Sequence, residues 1–249
     1  MKKIAFSVSF FLFCFLHVSA QDGAKFRFGF QASPGISWLK TSDKKLESAG
    51  TNIGFKVGAL GEYYFQENYA LISGIGFGLN QGGTIQNGYP LGVFWKNSEL
   101  SVPGKFDTLS ANAKLHYRVN YVEIPFGLKM RGGTNADARF RFYAEIPVFT
   151  LGFVTKSLGD IRGTNTQNTE DEDIRDDVNG LSLSWGLGGG VEYEIATHTT
   201  LFGGLSYQQQ FTDLTADDGF VLKAANQPLT AEKSKGTFGI VSLRLGVFF

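Results

Sequence analysis

The tripeptide Glu-Ile-Pro occurs twice, as Glu123–Pro125 and Glu145–Pro147. Two carboxylates repeated in the same context could do acid–base chemistry if they share a site, because like charges held close push their pKa values apart. They could also be the anionic half of an ion network. Both segments alternate apolar and polar residues with period 2, so both acids fall on the polar side of a strand. Counting back through the intervening turn sets Arg131 opposite Arg139, Glu123 near Pro147 and Pro125 near Glu145. Each proline removes a ladder donor and predicts a bulge or bend. Lys56, Lys129, Arg141 and Arg244 share the face of these acids, and Glu192 joins them. The expectation is a structural ion network of Lys56, Glu123, Lys129, Arg141, Glu145, Glu192 and Arg244. The alternative is a catalytic carboxylate pair or proton path.

Other chemistry-bearing residues are sparse. The run EDEDIRDD, Glu170–Asp177, matches no calcium-loop spacing. It reads as a solvated loop, or as a divalent-cation bridge to anionic lipopolysaccharide. Beyond the first twenty residues the histidines are His116 and His198, at opposite ends of their strands, and cysteine is absent. A His/Cys metal cluster is excluded. His116 with a serine such as Ser110 could serve a hydrolase at one rim; a rim histidine without catalysis is the plainer reading. The glycines of GLGGGVE lie within a strand pattern, where they serve packing, and not at a helix start that would cradle phosphate. The expectation is no enzyme and no catalytic, cofactor or metal site.

The elements that must position these residues are strands. Glycine is abundant at 32, proline scarce at 6 and aromatics reach 14%, which favours an all-β chain. Eight period-2 segments begin at FRFGFQ, NIGFKV, YALISG, YVEIPF, RFRFYA, LSLSWG, TLFGGL and TFGIVS. Short connectors fall at Gln66–Asn68, Gly132–Ala138 and Ala196–Thr199. Long ones fall at Lys40–Thr51, Gln81–Leu115, Lys156–Gly180 and Asp213–Lys235. Short turns at one rim and long polar loops at the other predict an eight-stranded antiparallel up-and-down transmembrane barrel with both termini periplasmic. Ten strands are the alternative if LGVFWKN adds a hairpin.

Polarity decides which face meets lipid. One face is Phe, Leu, Val and Ile. The other carries Gly, Ser and Gln, which suit a narrow lumen better than the charged exterior of a soluble barrel. Trp38, Tyr63, Tyr69, Tyr117, Trp185, Tyr193 and Tyr207 are candidate aromatic girdles. Residues 1–20 carry Lys2, Lys3, an apolar run and Val18-Ser19-Ala20, the pattern of a signal peptide cleaved near Ala20. Residues 21–249 form the barrel domain. Cys14 follows Phe13, which argues against a lipoprotein signal. The chain ends on LRLGVFF, and that last strand must pair with the first, because an open edge in hydrocarbon leaves backbone groups unpartnered. Formal charge is zero, 23 basic against 23 acidic residues, so no nucleic-acid partner is expected.

Four features together resemble the PorT-like, or porin-family, outer-membrane β-barrel proteins of Bacteroidetes-type bacteria. They are the leader ending Ala-Gln, the YVEIPFGLK strand, the GLGGGVEYEI strand and the terminal LRLGVFF. The resemblance covers essentially all of residues 21–249. It implies a barrel in the outer membrane, without a ligand or reaction assigned to most members; the founding member is associated with type IX secretion. Phe249 resembles the C-terminal signal read by the barrel assembly machinery. The expected partners are outer-membrane lipid, lipopolysaccharide, that machinery and an envelope protein; no cofactor is expected. The functional expectation is a non-enzymatic structural or interaction protein with long extracellular loops. A narrow channel, a secretion-linked component and a lipid-modifying enzyme are the alternatives.

Overall fold

The computed structural model describes residues 26–101, 108–132, 139–163, 168–224 and 226–249. The expected signal peptide and cleavage near Ala20 lie outside the described residues. Eight long strands run up and down: β1 (Phe26–Thr41), β2 (Leu46–Gln66), β3 (Tyr69–Asn87), β6 (Lys114–Arg131), β7 (Phe140–Arg162), β9 (Leu181–Ala196), β10 (Thr199–Gln210) and β13 (Gly236–Phe248). Short strands β4 (Leu91–Val93), β5 (Leu109–Ser110), β8 (Asn168–Asp173), β11 (Phe220–Leu222) and β12 (Thr230–Ala231) lie in the connections.

Each long strand pairs antiparallel with the next, and β13 returns to β1, so the ring closes with eight strands. The Phe249 N–H donates to the Phe28 carbonyl at 2.8 Å, which extends the seam to the last residue. LGVFWKN adds no barrel hairpin. Its β4 pairs with β11 and β5 in a separate four-stranded sheet, order β12-β11-β4-β5.

The apolar face points out. Phe28, Phe30, Phe55, Ile75, Phe77, Phe126, Phe142, Leu187, Leu205 and Leu245 are all exposed on the barrel wall, the pattern of strands that meet lipid. Trp38 stacks on Tyr207 at 6.4 Å between ring centres, and Trp185 meets the same ring edge-on at 6.0 Å. These three form one arc of an aromatic belt. Tyr117 does not belong to it. It is buried in the lumen, because it shares parity with Tyr121 and Glu123.

The strands run longer than the period-2 segments. β2 has 21 residues and β7 has 23, against about 9–11 for a membrane crossing. Lys40–Thr51 is therefore strand except for Ser42–Lys45, and β3 runs on to Asn87. One-residue slips mask this continuation in the sequence. Register shifts fall between Gly78 and Gln81, between Asn120 and Tyr121, and between Ser48 and Gly50. At the first, Asn80 adopts φ 56° and Gly82 φ 133°, left-handed conformations that suit a bulge. Each slip resets which parity points inward.

The proline expectation is half met. Register shifts on both sides of β7 bracket Ile146-Pro147, whereas Pro125 sits in unbroken register opposite Thr150. The Glu-Ile-Pro segments are not cross-strand partners. Arg131 faces Tyr143, not Arg139; Lys129 faces Glu145, and Glu123 faces Gly152. Counting from the turn fails because β7 pairs with β6 only from Tyr143 onward.

Candidate functional site

Three layers fill the lumen from the short-turn end to the long-loop end. The lowest is ionic. Lys129 Nζ, almost wholly buried, bonds Glu62 and lies 2.5 Å from Glu192 Oε1. Arg27 Nη1 lies 3.3 Å from both Glu62 and Glu192, and Arg131 Nε lies 3.2 Å from Glu192. The Tyr64 hydroxyl donates to Glu62 at 2.8 Å. Strand parity brings these five charges inward from β1, β2, β6 and β9. An apolar plug of Leu60, Tyr143, Phe202 and Phe248 packs against them. The Lys129 ammonium sits 4.5 Å from the Tyr143 ring centre and 4.9 Å from that of Phe248, close enough for cation–π attraction. Desolvated charges persist only where partners of this kind surround them.

The middle layer holds both Glu-Ile-Pro acids. Lys56 Nζ donates to the two Glu123 carboxylate oxygens at 2.9 and 2.8 Å and also bonds Gln208. Gln81 Nε2 donates to Glu123 at 3.1 Å. Arg244 bonds Glu145, and its Nε and Nη2 donate to Gln31 at 3.1 and 3.0 Å. Each acid has its own cation, so neither needs to share a proton with the other. Lys56, Glu123, Gln208, Glu145, Arg244 and Gln31 line a cavity of about 90 Å³ with Ser206, Ser242 and Thr150, room for several waters at roughly 10–15 Å³ each. Small residues make that space. Gly58 faces Gly76 across strands, and a Cβ on Gly58 would stand 2.7 Å from the Gly76 Cα.

The upper layer is apolar. Leu39, Ile85, Leu115, Tyr117, Val119, Tyr121, Ile161, Phe238 and Ile240 point into the ring and are buried. The same cluster continues into the connections through Tyr89, Trp95, Leu109, Ile174, Val178, Leu214 and Val221. The Trp95 indole packs edge-on against Tyr117 at 5.5 Å and over Gly159, where a Cβ would lie 2.4 Å from the ring. The long connections with their small sheet therefore form a cap whose core is continuous with the lumen.

Acids of the Glu170–Asp177 run anchor this cap and are not all solvated. Glu172 accepts from the Ser101 amide at 2.7 Å, and its carboxylate also bonds the Ser101 and Thr169 hydroxyls. Burial alone would push its carboxyl up; these hydrogen bonds outweigh burial and hold it below the usual range. Asp177 is buried and accepts from the backbone N–H groups of Asn97 and Ser98. Asp171 pairs with Arg118 at 2.7 Å. Glu232 is held up, first by burial and then by Asp217 and Asp43, against hydrogen bonds from Ser234. The Tyr89 hydroxyl, donating to Asp43, is pushed up to about 12 by burial and that bond.

Six of the seven expected lumen residues enter ion pairs: Lys56 with Glu123, Arg244 with Glu145, and Lys129 with Glu192. Arg141 faces Glu192 across strands but forms no ion pair among the described residues. Glu62, Arg27 and Arg131 belong to the network and are absent from the sequence expectation, although the parity that places Glu192 inward applies to them. The His116 Nδ1 pairs with Thr84 Oγ1 at 2.8 Å, and Ser110 lies in the cap sheet opposite Leu91. His198 stands in the tight turn between β9 and β10. Among the described residues no group of His, Cys, Asp and Glu is placed to hold a metal.

A closed up-and-down ring, apolar without and ionic within, defines a bacterial outer-membrane β-barrel. The chain belongs to the family described as outer membrane protein beta-barrel domain, whose model matches residues 19–216. Solved structures similar to it include Neisserial surface protein A, at 12% identity over 90% of this chain and 96% of that one, TM-score 0.41. Others are a major outer membrane protein from Thermus thermophilus (11%, 90% and 98%, 0.42) and OprG from Pseudomonas aeruginosa (10%, 90% and 95%, 0.41). No curated protein matches the chain.

Proposed function

We propose that this protein is a non-enzymatic, non-conducting barrel that holds a folded extracellular cap at the cell surface, and that the cap is its interaction element. One observation carries the reading: the buried apolar cluster runs unbroken from Ile240 and Phe238 in the lumen to Trp95 and Val221 in the cap. Water and ions would have to cross that cluster and then the plug formed by Phe248, Phe202 and the Lys129 ion network. Side chains fill small barrels of this kind. The Glu123 and Glu145 carboxylates are each neutralised separately, which favours a structural role over an acid–base dyad.

The finer assignment to the PorT-like proteins rests on the four motifs named above. Export through residues 1–20, with cleavage near Ala20, rests on their basic, apolar and small-residue order. Recognition by the assembly machinery rests on Phe249, which is outward and strand-paired. An envelope protein is the partner class expected for the cap.

Planar-bilayer recording of the purified, folded barrel tests the central claim. The expected trace shows no stable conductance steps. Stepwise currents from the unmodified protein would sink the plugged-barrel reading and favour the narrow channel.

A further inference from the structure

The outward face of β6 and β7 changes character abruptly. Up to Val122 and Phe153 it is apolar; past the exposed bulge residue Thr155, Asn120 and Lys156 face each other across the strands. Above them Arg118 faces Leu158, His116 faces Asp160 and Lys114 faces Arg162. Four cations thus climb one wall directly above the lipid-facing band. From Asn120 to Lys114 the strand rises about 20 Å at ~3.3 Å per residue.

Their partners are unequal. Arg118 is committed to Asp160 at 2.6 Å and Asp171 at 2.7 Å. Lys114, Lys156 and Arg162 are exposed and form no ion pair among the described residues. Lys114 and Arg162 are also direct cross-strand partners, an arrangement of like charges that destabilises a sheet. An anion between them would relieve it. Of the exposed acids of β8, Asp171 is already taken by Arg118, while Glu170 and Asp173 form no ion pair among the described residues.

We infer that this wall binds the phosphate-bearing head of lipopolysaccharide, with acyl chains lying on Val122, Ile124, Phe126 and Phe153 below. Position argues for a lipid over a free anion. The cations begin where the apolar wall ends, so one amphiphile can satisfy both faces at once. Each Lys or Arg near an anionic membrane surface contributes attraction of the order that several together convert into tight, salt-sensitive binding.

The test uses the full barrel folded in detergent, titrated with purified lipopolysaccharide. The triple variant Lys114→Glu, Lys156→Glu, Arg162→Glu is compared with unmodified protein and with a control reversal at Lys40, Lys44 and Lys45. The boiling-dependent gel shift confirms that each is folded. The expected result is at least about a tenfold loss of affinity in the triple variant alone, with wild-type binding weakened by added salt. Three outcomes would overturn the inference. The triple variant could bind as well as wild type, or the control could lose as much. Alternatively, millimolar inorganic phosphate could displace lipopolysaccharide completely, which marks a free-anion site. If the triple variant does not fold, single reversals at Lys114 and Lys156 are read the same way.

Discussion

The lower and upper halves of the same strands obey opposite rules. In β6 below Tyr121, inward positions are Glu123 and Lys129 and outward ones are Val122, Ile124 and Phe126. Above Tyr121, inward positions are Leu115, Tyr117 and Val119, and outward ones are Lys114, His116 and Arg118. The period stays at 2 while the polarity inverts. What changes is the surrounding medium. Lipid rewards apolar residues outside and leaves polar groups to find partners within. Water reverses both preferences, so the emergent half acquires an ordinary hydrophobic core. The lower half is held by paired charges and the upper half by burial of apolar surface, and the two should fail differently.

The largest expected effect is in the lower half. Glu192 is the shared anion of Lys129, Arg27 and Arg131. Glu192→Gln leaves Lys129 and Arg27 with Glu62 alone, and Arg131 with no ion-pair partner among the described residues. Breaking a buried ion pair from one side costs about 3–5 kcal/mol. Urea titration of the folded barrel, read by the gel shift, should show a loss of that size. A change within error would mean that water already solvates the cluster.

A matched set of substitutions tests the inversion itself. Leu187 points to lipid opposite Tyr207, just inside the aromatic belt, where arginine costs less than the roughly 2–4 kcal/mol of mid-membrane. A Cβ on neighbouring Gly188 meets only ordinary contacts, at 3.4 Å from the Leu205 carbonyl and 3.5 Å from Arg244 and Glu145. Leu187→Arg should therefore impair assembly and Gly188→Ser should not. In the upper half the outcome swaps sides. Leu115→Arg drives an unpaired charge into the apolar core, while His116→Arg, on the outer wall opposite Asp160, should stay within about 0.5 kcal/mol of wild type. Folded yield and urea midpoints for all four decide it. Equal tolerance of Leu115→Arg and His116→Arg would show that the upper lumen is wet.

The same inversion explains what can be read from the sequence. β9 and β13 are legible almost residue by residue, because their membrane halves carry an unbroken alternation of large apolar against Gly, Ser or a charge. Closure of β13 on β1 and the short turns follow from it. The upper strands read as loops. There the apolar residues change face, and the bulges near Asn80, Ser48 and Thr155 break the parity that a period-2 count depends on. The ion network is legible as a set but not as pairs. Its partners come from strands two or three places apart in the ring, such as Lys56 of β2 with Glu123 of β6 and Arg244 of β13 with Glu145 of β7, and no pattern local to one strand encodes that distance. The cap core is hidden for a different reason. Tyr89, Leu109, Ile174 and Leu214 are scattered singly, without any period, and the one apolar run among them, LGVFW, supplies Trp95.

The smallest effect expected is a pH response confined to the cap, where two buried acids are shifted in opposite directions. Glu172 is held low by its bonds to Ser101 and Thr169. Its stabilisation is therefore complete above the unfolded value for Glu, about 4.3, and is lost as pH falls through the lower folded value. Glu232 is held high by burial and neighbouring acids. Its charge opposes folding at neutral pH, and protonation relieves that cost as pH falls from the folded value toward about 4.3. Protection of the cap should accordingly rise on mild acidification and then collapse in stronger acid, while the ion-paired barrel wall persists. Hydrogen exchange of segments 88–101 and 214–224 across this range gives the readout. Glu232→Gln should remove the rise, and Glu172→Gln should remove the acid collapse at Ser101. A steady loss of protection from neutral pH downward in the unmodified protein would show that Glu232 is solvated and that the cap core does not extend to it.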